Sequence, residues 1–240
     1  MHGVLQARCR LPRKVSLYWP GMYLRLKRLF HKEKREHRVL RQIQRTGDVL
    51  QPEWHRATPE CAHPQRWSMY DGMTAEVEVL EFLRCLVTTI KPELVVETGS
   101  FSGISTLWIA EGLKQNGLGK VITCEVDPVV YASAKQRIAA SELAPWIECR
   151  NQSSLEMQVE GTIDLLFSDS GEFIREQEVR HFLPQINPYG LIAVHDASSH
   201  LKVVRKFMLE LEAEGLLSVV LLPTPRGLAL AQKRERRQEQ

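Results

Sequence analysis

The 240-residue chain has no apolar run approaching the ~18 residues that a membrane-spanning helix needs. Its first residues also lack an apolar signal core, so a cytoplasmic protein is expected. Cysteine is sparse, with five residues (Cys9, Cys61, Cys85, Cys124 and Cys149), an odd number at irregular spacing. That pattern excludes a disulfide framework and a zinc ligand set. Cys85, Cys124 and Cys149 sit among apolar residues and read as small core side chains. Missing too is the dinucleotide fingerprint Gly-x-Gly-x-x-Gly, whose middle glycine lets a pyrophosphate approach a helix start. The nearest approximation is Gly99, Phe101 and Gly103, with a bulky aromatic where that glycine would stand.

Charge is plentiful and unevenly placed. The overall +3 hides an N-terminal block in which residues 1–50 carry 13 Lys/Arg against 3 Asp/Glu, while the remainder carries 19 against 26. Residues 1–47 form a basic extension, helical over Met22 to Ile43, where Leu26, Leu29, Phe30, Val39, Leu40 and Ile43 alternate with basic residues. It reads first as a segment packed on the catalytic domain or on a second copy in a homodimer. A peripheral membrane segment is the second reading, since Tyr18, Trp19, Tyr23 and Phe30 lie among basic residues. Residues 48–73, with three prolines and three aromatics, read as an irregular connection or lid. Residues 74–233 form the main domain and 234–240 a charged tail. Thr74 is the expected N-cap of a helix through Thr88 whose apolar face is Val77, Leu80, Leu83 and Leu86.

The most informative stretch is Leu94 to Thr106. A β-branched run ends in Glu97, two glycines stand four apart at Gly99 and Gly103, and helical apolar spacing follows at Leu107, Ile109, Ala110 and Leu113. This is a buried strand, a tight turn and a helix start, and glycine there admits positive φ and close approach of a ligand. Glu97 would put an anion beside the ligand, which suits a cationic or zwitterionic nucleoside better than a pyrophosphate. A second strand, Leu118 to Asp127, ends in Glu125, and Asp127-Pro128 reads as an N-cap with proline in the first helical turn. Strands at Trp146–Arg150, Thr162–Phe167 and Leu191–Val194 follow, the last two closed by Asp169 and by His195-Asp196. Leu217–Leu222 and Gly227–Gln232 form a closing hairpin. Strands alternating with helices at this rhythm predict an α/β fold with a mostly parallel sheet and ligands at the strands' carboxyl ends. Glu97, Glu125, Asp169 and Asp196 should therefore converge on one rim.

Glu97-x-Gly99-x-Phe101-x-Gly103-x-Ser105 resembles motif I of the class I S-adenosylmethionine (SAM) methyltransferases, in the version of the catechol and caffeoyl-CoA O-methyltransferases. The resemblance covers roughly residues 68 to 233. It implies a Rossmann-like seven-stranded sheet with an antiparallel closing hairpin, SAM as cofactor and a small-molecule or sugar acceptor, methylated at oxygen. It implies cofactor contacts at Glu97, Gly99, Phe101, Gly103, Ser105, Glu125, Gln152, Ser153 and Asp169, with Met73, Thr74 and Glu76 near the methionine end. Cation-dependent relatives hold a divalent metal with an acid after strand four and an Asp-Asn pair after strand five. Asp169 matches the first, but the pair here is His195-Asp196. A metal site of Asp169, His195 and Asp196 would favour Mn, Fe or Zn over Mg. The alternative is metal-free catalysis with His195 as general base, and a purely structural strand end is the third reading. The lysine usual three residues after the first acid is replaced by Glu172, which joins Asp169 and His195 as a candidate catalytic side chain. Two other functions are open to such a chain: a SAM-binding protein without turnover, and a nucleic-acid methyltransferase recruited by the basic N-terminus. Ser168-Asp169-Ser170-Gly171 is not the Asn/Asp-Pro-Pro-Tyr/Phe run that holds a flipped base, which argues against the latter.

Overall fold

The computed structural model describes residues 55–56, 68–70 and 73–235. The expected basic extension (1–47) and the charged tail beyond residue 235 lie outside the described residues, as does most of the connection 48–73. From that connection, β1 (His55–Arg56) pairs antiparallel with β2 (Ser68–Met69).

The main sheet has seven strands in the order β5-β4-β3-β6-β7-β9-β8. They are β3 (Leu94–Thr98), β4 (Lys120–Glu125), β5 (Ile147–Asn151), β6 (Ile163–Ser168), β7 (Ile186–His195), β8 (Leu217–Leu222) and β9 (Leu228–Lys233). β3 to β7 pair in parallel, and β9 runs antiparallel between β7 and β8. The order reverses at β3, so the crevice above its carboxyl end is where a ligand should sit. The helices are α1 (Val77–Ile90), α2 (Ile104–Asn116), α3 (Pro128–Ala139), α4 (Arg175–Phe182) and α5 (Val203–Ala213).

Alternation along the strands builds two cores. Val95, Leu165, Phe167 and Ala193 face α1 and α2 through Leu80, Leu83, Leu107 and Leu113. Their neighbours Val96, Ile122, Leu166, Ile192 and Val194 face the other way, onto Phe182 of α4 and Phe207, Met208 and Leu211 of α5. A buried parallel strand is apolar on both faces, which is why Leu94–Val96 of β3 and Leu165–Phe167 of β6 are continuous apolar runs rather than alternating ones.

Three expectations needed correction. α1 begins at Val77, not at Thr74, and its N-cap is Glu76 without a side-chain cap. The side chain that could have capped the helix is drawn away to the rim, as described below. β7 begins five residues earlier than the apolar run Leu191–Val194; Pro188 and Tyr189 (φ 63°) interrupt the strand pattern in its first half, where the register shifts opposite Ile163–Leu165. Cys85 is exposed on α1, whereas Cys124 is buried as expected.

Candidate functional site

Residues from four strand ends and the turn before α1 build the site. The glycine turn folds as the sequence predicts. Gly99 (φ 80°), Phe101 (φ 44°) and Gly103 (φ 79°) all take left-handed backbone. The N–H groups of Gly99 and Ser100 both donate to the Cys124 carbonyl at 3.0 Å, which ties the turn to β4. Gly99 is demanded by the protein itself, since a Cβ there would lie 2.6 Å from Ser170 Cα and 2.8 Å from the Asp169 carbonyl. The Phe101 N–H donates to Glu125 Oε2 and the Asp127 N–H to Glu125 Oε1, both at 3.0 Å. Asp127 caps α3 as expected, accepting from Val129 and Val130.

A cavity of about 420 Å³ opens above this turn. Its wall includes Gly99, Phe101, Ser105, Glu125, Gln152 and Ser153 on one side and Met73, Thr74, Asp169, Glu172, Ile174, Asp196 and Arg226 on the other. Ser100 and Ser102 also line it, and the Ser102 hydroxyl is buried without a hydrogen-bond partner. An orphaned polar atom in a cavity wall fits a polar ligand, and the volume is in the usual range for a small-molecule site, ~300–1,000 Å³. A larger concavity of about 820 Å³, lined among others by Lys91, Lys120, Asp164 and Tyr189, lies at the opposite end of the sheet, away from the turn and its acids.

Four expected site residues are not on the cavity wall, one of them Glu76, which is fully buried. Gly103 lies at the start of α2, where its φ is what the turn requires. Glu97 is fully buried and accepts from Thr106 Oγ1. Burial pushes its acid up, against hydrogen bonds from Ser105, Thr106 and Thr123. It therefore stands behind the turn, off the cavity wall.

His195 is the fourth. It is 0 % exposed, and both ring nitrogens are engaged: Nε2 lies 2.7 Å from Glu76 Oε2, and Nδ1 lies 3.0 Å from Asp169 Oδ1 and 3.6 Å from Asp196 Oδ1. Burial alone would push the imidazole down, but the charges of Asp169, Asp196 and Glu76 outweigh it and carry the pKa up to about 10. Both ring nitrogens face carboxylates rather than the cavity, so neither is presented to an acceptor bound there. Asp196 shows the complementary effect. Burial favours its neutral acid, but His195, Arg175 and Arg226 hold it down at about 2. Glu76 is also lowered, burial being outweighed by His195.

Sequence reasoning missed two residues of this cluster. Arg175, the buried first residue of α4, reaches Asp169 Oδ1 at 3.1 Å and Asp196 Oδ2 at 2.9 Å, and donates to the His195 carbonyl at 2.7 Å. Arg226, in the turn between β8 and β9, grips Asp196 with Nε and Nη2 at 2.7 and 3.2 Å. Basic residues flanking a helix or a proline turn are common on surfaces, and nothing in the linear pattern distinguished these two. A third unflagged residue, the buried Glu178, accepts from the hydroxyls of Thr98, Ser154, Ser168 and Ser170 and so knits four segments of the cavity floor together.

Asp169, His195 and Asp196 do come together, with one candidate ligand atom from each within 4.8 Å of the others. The set nonetheless fits a divalent metal poorly. Both Asp196 oxygens and Asp169 Oδ1 already accept from guanidinium groups that are charged at any working pH.

The raised and lowered groups make stability depend on pH. His195, at about 10 against an ordinary 6.5, contributes fully below 6.5, and the contribution fades as pH rises through 10. Asp196, at about 2 against 3.8, contributes fully above 3.8 and loses that as pH falls through 2. The unfolding temperature followed by circular dichroism should therefore be highest between pH 3.8 and 6.5 and should decline toward pH 10. A profile that stays flat across the alkaline limb would mean that His195 is not held as the cation.

A methyltransferase domain model matches residues 96–197, which include the glycine turn, Glu125, Asp169 and His195-Asp196. The chain is 27% identical over 153 residues to a protein carried under an O-methyltransferase name in Mycobacteroides abscessus, a match covering 57% of this chain and 70% of that one. Among solved structures it is similar to the O-methyltransferase of Bacillus cereus in complex with S-adenosylhomocysteine (TM-score 0.61, 21% identity, 68% of this chain and 84% of that one). It is also similar to the S-adenosylhomocysteine-bound methyltransferase of Podospora anserina (TM-score 0.62, 17% identity, 85% and 97%).

Proposed function

From the sheet order and the match to a methyltransferase domain, we propose that the chain is a class I SAM-dependent methyltransferase that transfers the SAM methyl group to an oxygen of a small-molecule acceptor. The observation that carries this reading is one cavity joining Glu125, at the end of β4, to Asp169 and Glu172, beyond the end of β6. The β4 side suits a nucleoside. Glu125 there is an acceptor for ribose hydroxyls, with Gln152 and Ser153 beside it and the orphaned Ser102 hydroxyl close by. The acceptor would enter by Met73, Glu172 and Ile174. Met73 and Ile174, exposed apolar side chains on that wall, favour an acceptor with an apolar face over a bare sugar.

Methyl transfer from a sulfonium is an in-line displacement, and positioning alone supplies much of its rate. An acceptor hydroxyl must also lose its proton. With His195 off the cavity wall and both its ring nitrogens engaged, the base we assign is Glu172, on the cavity wall, whose Oε1 accepts from Ser199 Oγ and is thereby oriented. No step is routed through a metal.

Glu172→Gln is the expected kinetic test. With S-adenosylhomocysteine release followed over a panel of phenolic and aliphatic hydroxyl compounds, the variant should lose roughly 10²–10⁴-fold in kcat. Its affinity for S-adenosylhomocysteine should stay within a few-fold of wild type, because the acid lies on the acceptor side. An unchanged kcat would remove Glu172 from the chemistry. An acceptor methylated at nitrogen and not at oxygen would contradict the reading itself.

A further inference from the structure

We propose that the guanidinium groups of Arg175 and Arg226 occupy the cation position of this site, so that the Asp169–Asp196 pair is closed to divalent metal in the native protein and opens to it when Arg226 is removed. The inference goes beyond methyl transfer, and its test does not depend on it.

Three observations carry the proposal. The first is saturation. Arg226 meets Asp196 as a fork, Nε to Oδ1 at 2.7 Å and Nη2 to Oδ2 at 3.2 Å, while Arg175 bridges Asp196 Oδ2 and Asp169 Oδ1. A divalent ion at the meeting point of Asp169, Asp196 and His195 would have to displace these contacts. Paired N–H donors in fixed planar geometry are the strongest competitors a carboxylate can be offered.

The second is anchoring. Neither arginine is held only by the acids it would have to surrender. Arg175 donates Nε and Nη2 to the Ser170 carbonyl at 2.9 and 2.5 Å and Nη1 to the His195 carbonyl at 2.7 Å. It is 3% exposed, so it cannot swing into solvent. Arg226 places Nη1 3.3 Å from the Met73 carbonyl, and its own N–H donates to Glu76 Oε1 at 2.8 Å. The turn that carries it is pinned in turn. The Ser198 N–H donates to the Arg226 carbonyl at 2.8 Å, and a Cβ on the following Gly227 (φ 80°) would lie 2.2 Å from Ser198 N.

The third is charge. Two aspartates face two guanidinium groups, so the pair is neutralised without any ion. A divalent cation added there would lie within a few ångströms of two fixed positive charges, in a site where Asp196 is 8% exposed and screening by solvent is weak. Removing Arg226 reverses this. Asp196 loses the fork on both oxygens, and since it lines the cavity an ion from solvent could reach it.

Arg226 therefore does two things from one position. It supplies a permanent cation, and it fastens the Met73–Glu76 segment to the carboxyl end of β7.

The test uses Mn²⁺ as probe on the full-length chain, without cofactor, with binding read by electron paramagnetic resonance of the free ion and by titration calorimetry. Wild type is expected to show no one-to-one site. Arg226→Met, which keeps the aliphatic stem and removes the charge, is expected to gain a site about tenfold or more tighter than anything in wild type. Adding Asp196→Asn to that variant should abolish the gain. Should Arg226→Met fail to fold, Arg226→Lys, which lacks the fork, is expected to show the same gain at smaller amplitude. A one-to-one Mn²⁺ site in wild type that Asp196→Asn removes would overturn the proposal. So would a folded Arg226→Met or Arg226→Lys that binds Mn²⁺ no better than wild type, because the acids would then not be what the arginines guard.

Discussion

Replacing His195 by alanine is expected to destabilise the protein by about 3–5 kcal/mol, most of the stability of an ordinary domain. The reason is burial without compensation. His195 and Glu76 are both 0% exposed, and Nε2 is the side-chain partner of Glu76 Oε2. Deleting the ring leaves that oxygen in a dry interior, and leaves Asp169 and Asp196 with two cations where they had three. Breaking a buried ion pair by removing one partner costs far more than the pair contributes net when intact. Urea denaturation with and without the substitution reads the effect directly. Had His195 been the general base, the signature would be reversed, with near-normal stability and a kcat lower by roughly 10²–10⁴-fold.

Gly99→Val is expected to weaken S-adenosylhomocysteine binding by roughly 100-fold or more, through backbone strain of about 1–3 kcal/mol and displacement of the neighbouring loop. A β-branched residue at φ 80° is strained wherever it stands. Here its Cβ would also meet Ser170 Cα at 2.6 Å, pushing away the loop that carries Asp169. Gly103→Ala provides the contrast. A Cβ there meets nothing closer than 3.5 Å, so only the φ of 79° opposes it and the loss should be smaller. Titration calorimetry on both variants, with circular dichroism to confirm folding, separates the two. Equal losses would mean that the close approach of the Ser170 loop is not what demands a glycine at position 99.

The fold was legible because the sequence signals were redundant. Leu94–Thr106 combines a β-branched run, two glycines and a helical period, and Asp127-Pro128 marks the start of α3 by two independent means. Closing acids on successive strands pointed to a common rim, and Glu125, Asp169 and Asp196 do line one cavity. What stayed hidden was the sign and partnership of the charges. Glu97 reads in sequence as an acid at a strand end, yet Thr106, nine residues later on α2, takes its carboxyl into the interior. Glu76 is expected near the cofactor's methionine end, but it meets His195, 119 positions away, and the Arg226 backbone, 150 away. Such long-range pairs leave no periodicity or spacing to detect. The same applies to Arg175 and Arg226, whose ion pairs with Asp169 and Asp196 no linear pattern announced.

The most direct measurement is titration calorimetry of S-adenosylhomocysteine into the full-length protein beside Glu125→Ala. Glu125 organises the glycine turn through Phe101 and faces the cavity. Wild type is expected to bind one equivalent, and the variant to lose about 1–3 kcal/mol of affinity, roughly 5- to 150-fold. No binding by wild type, or equal affinity in the two proteins, would contradict a cofactor site above the ends of β3 and β4.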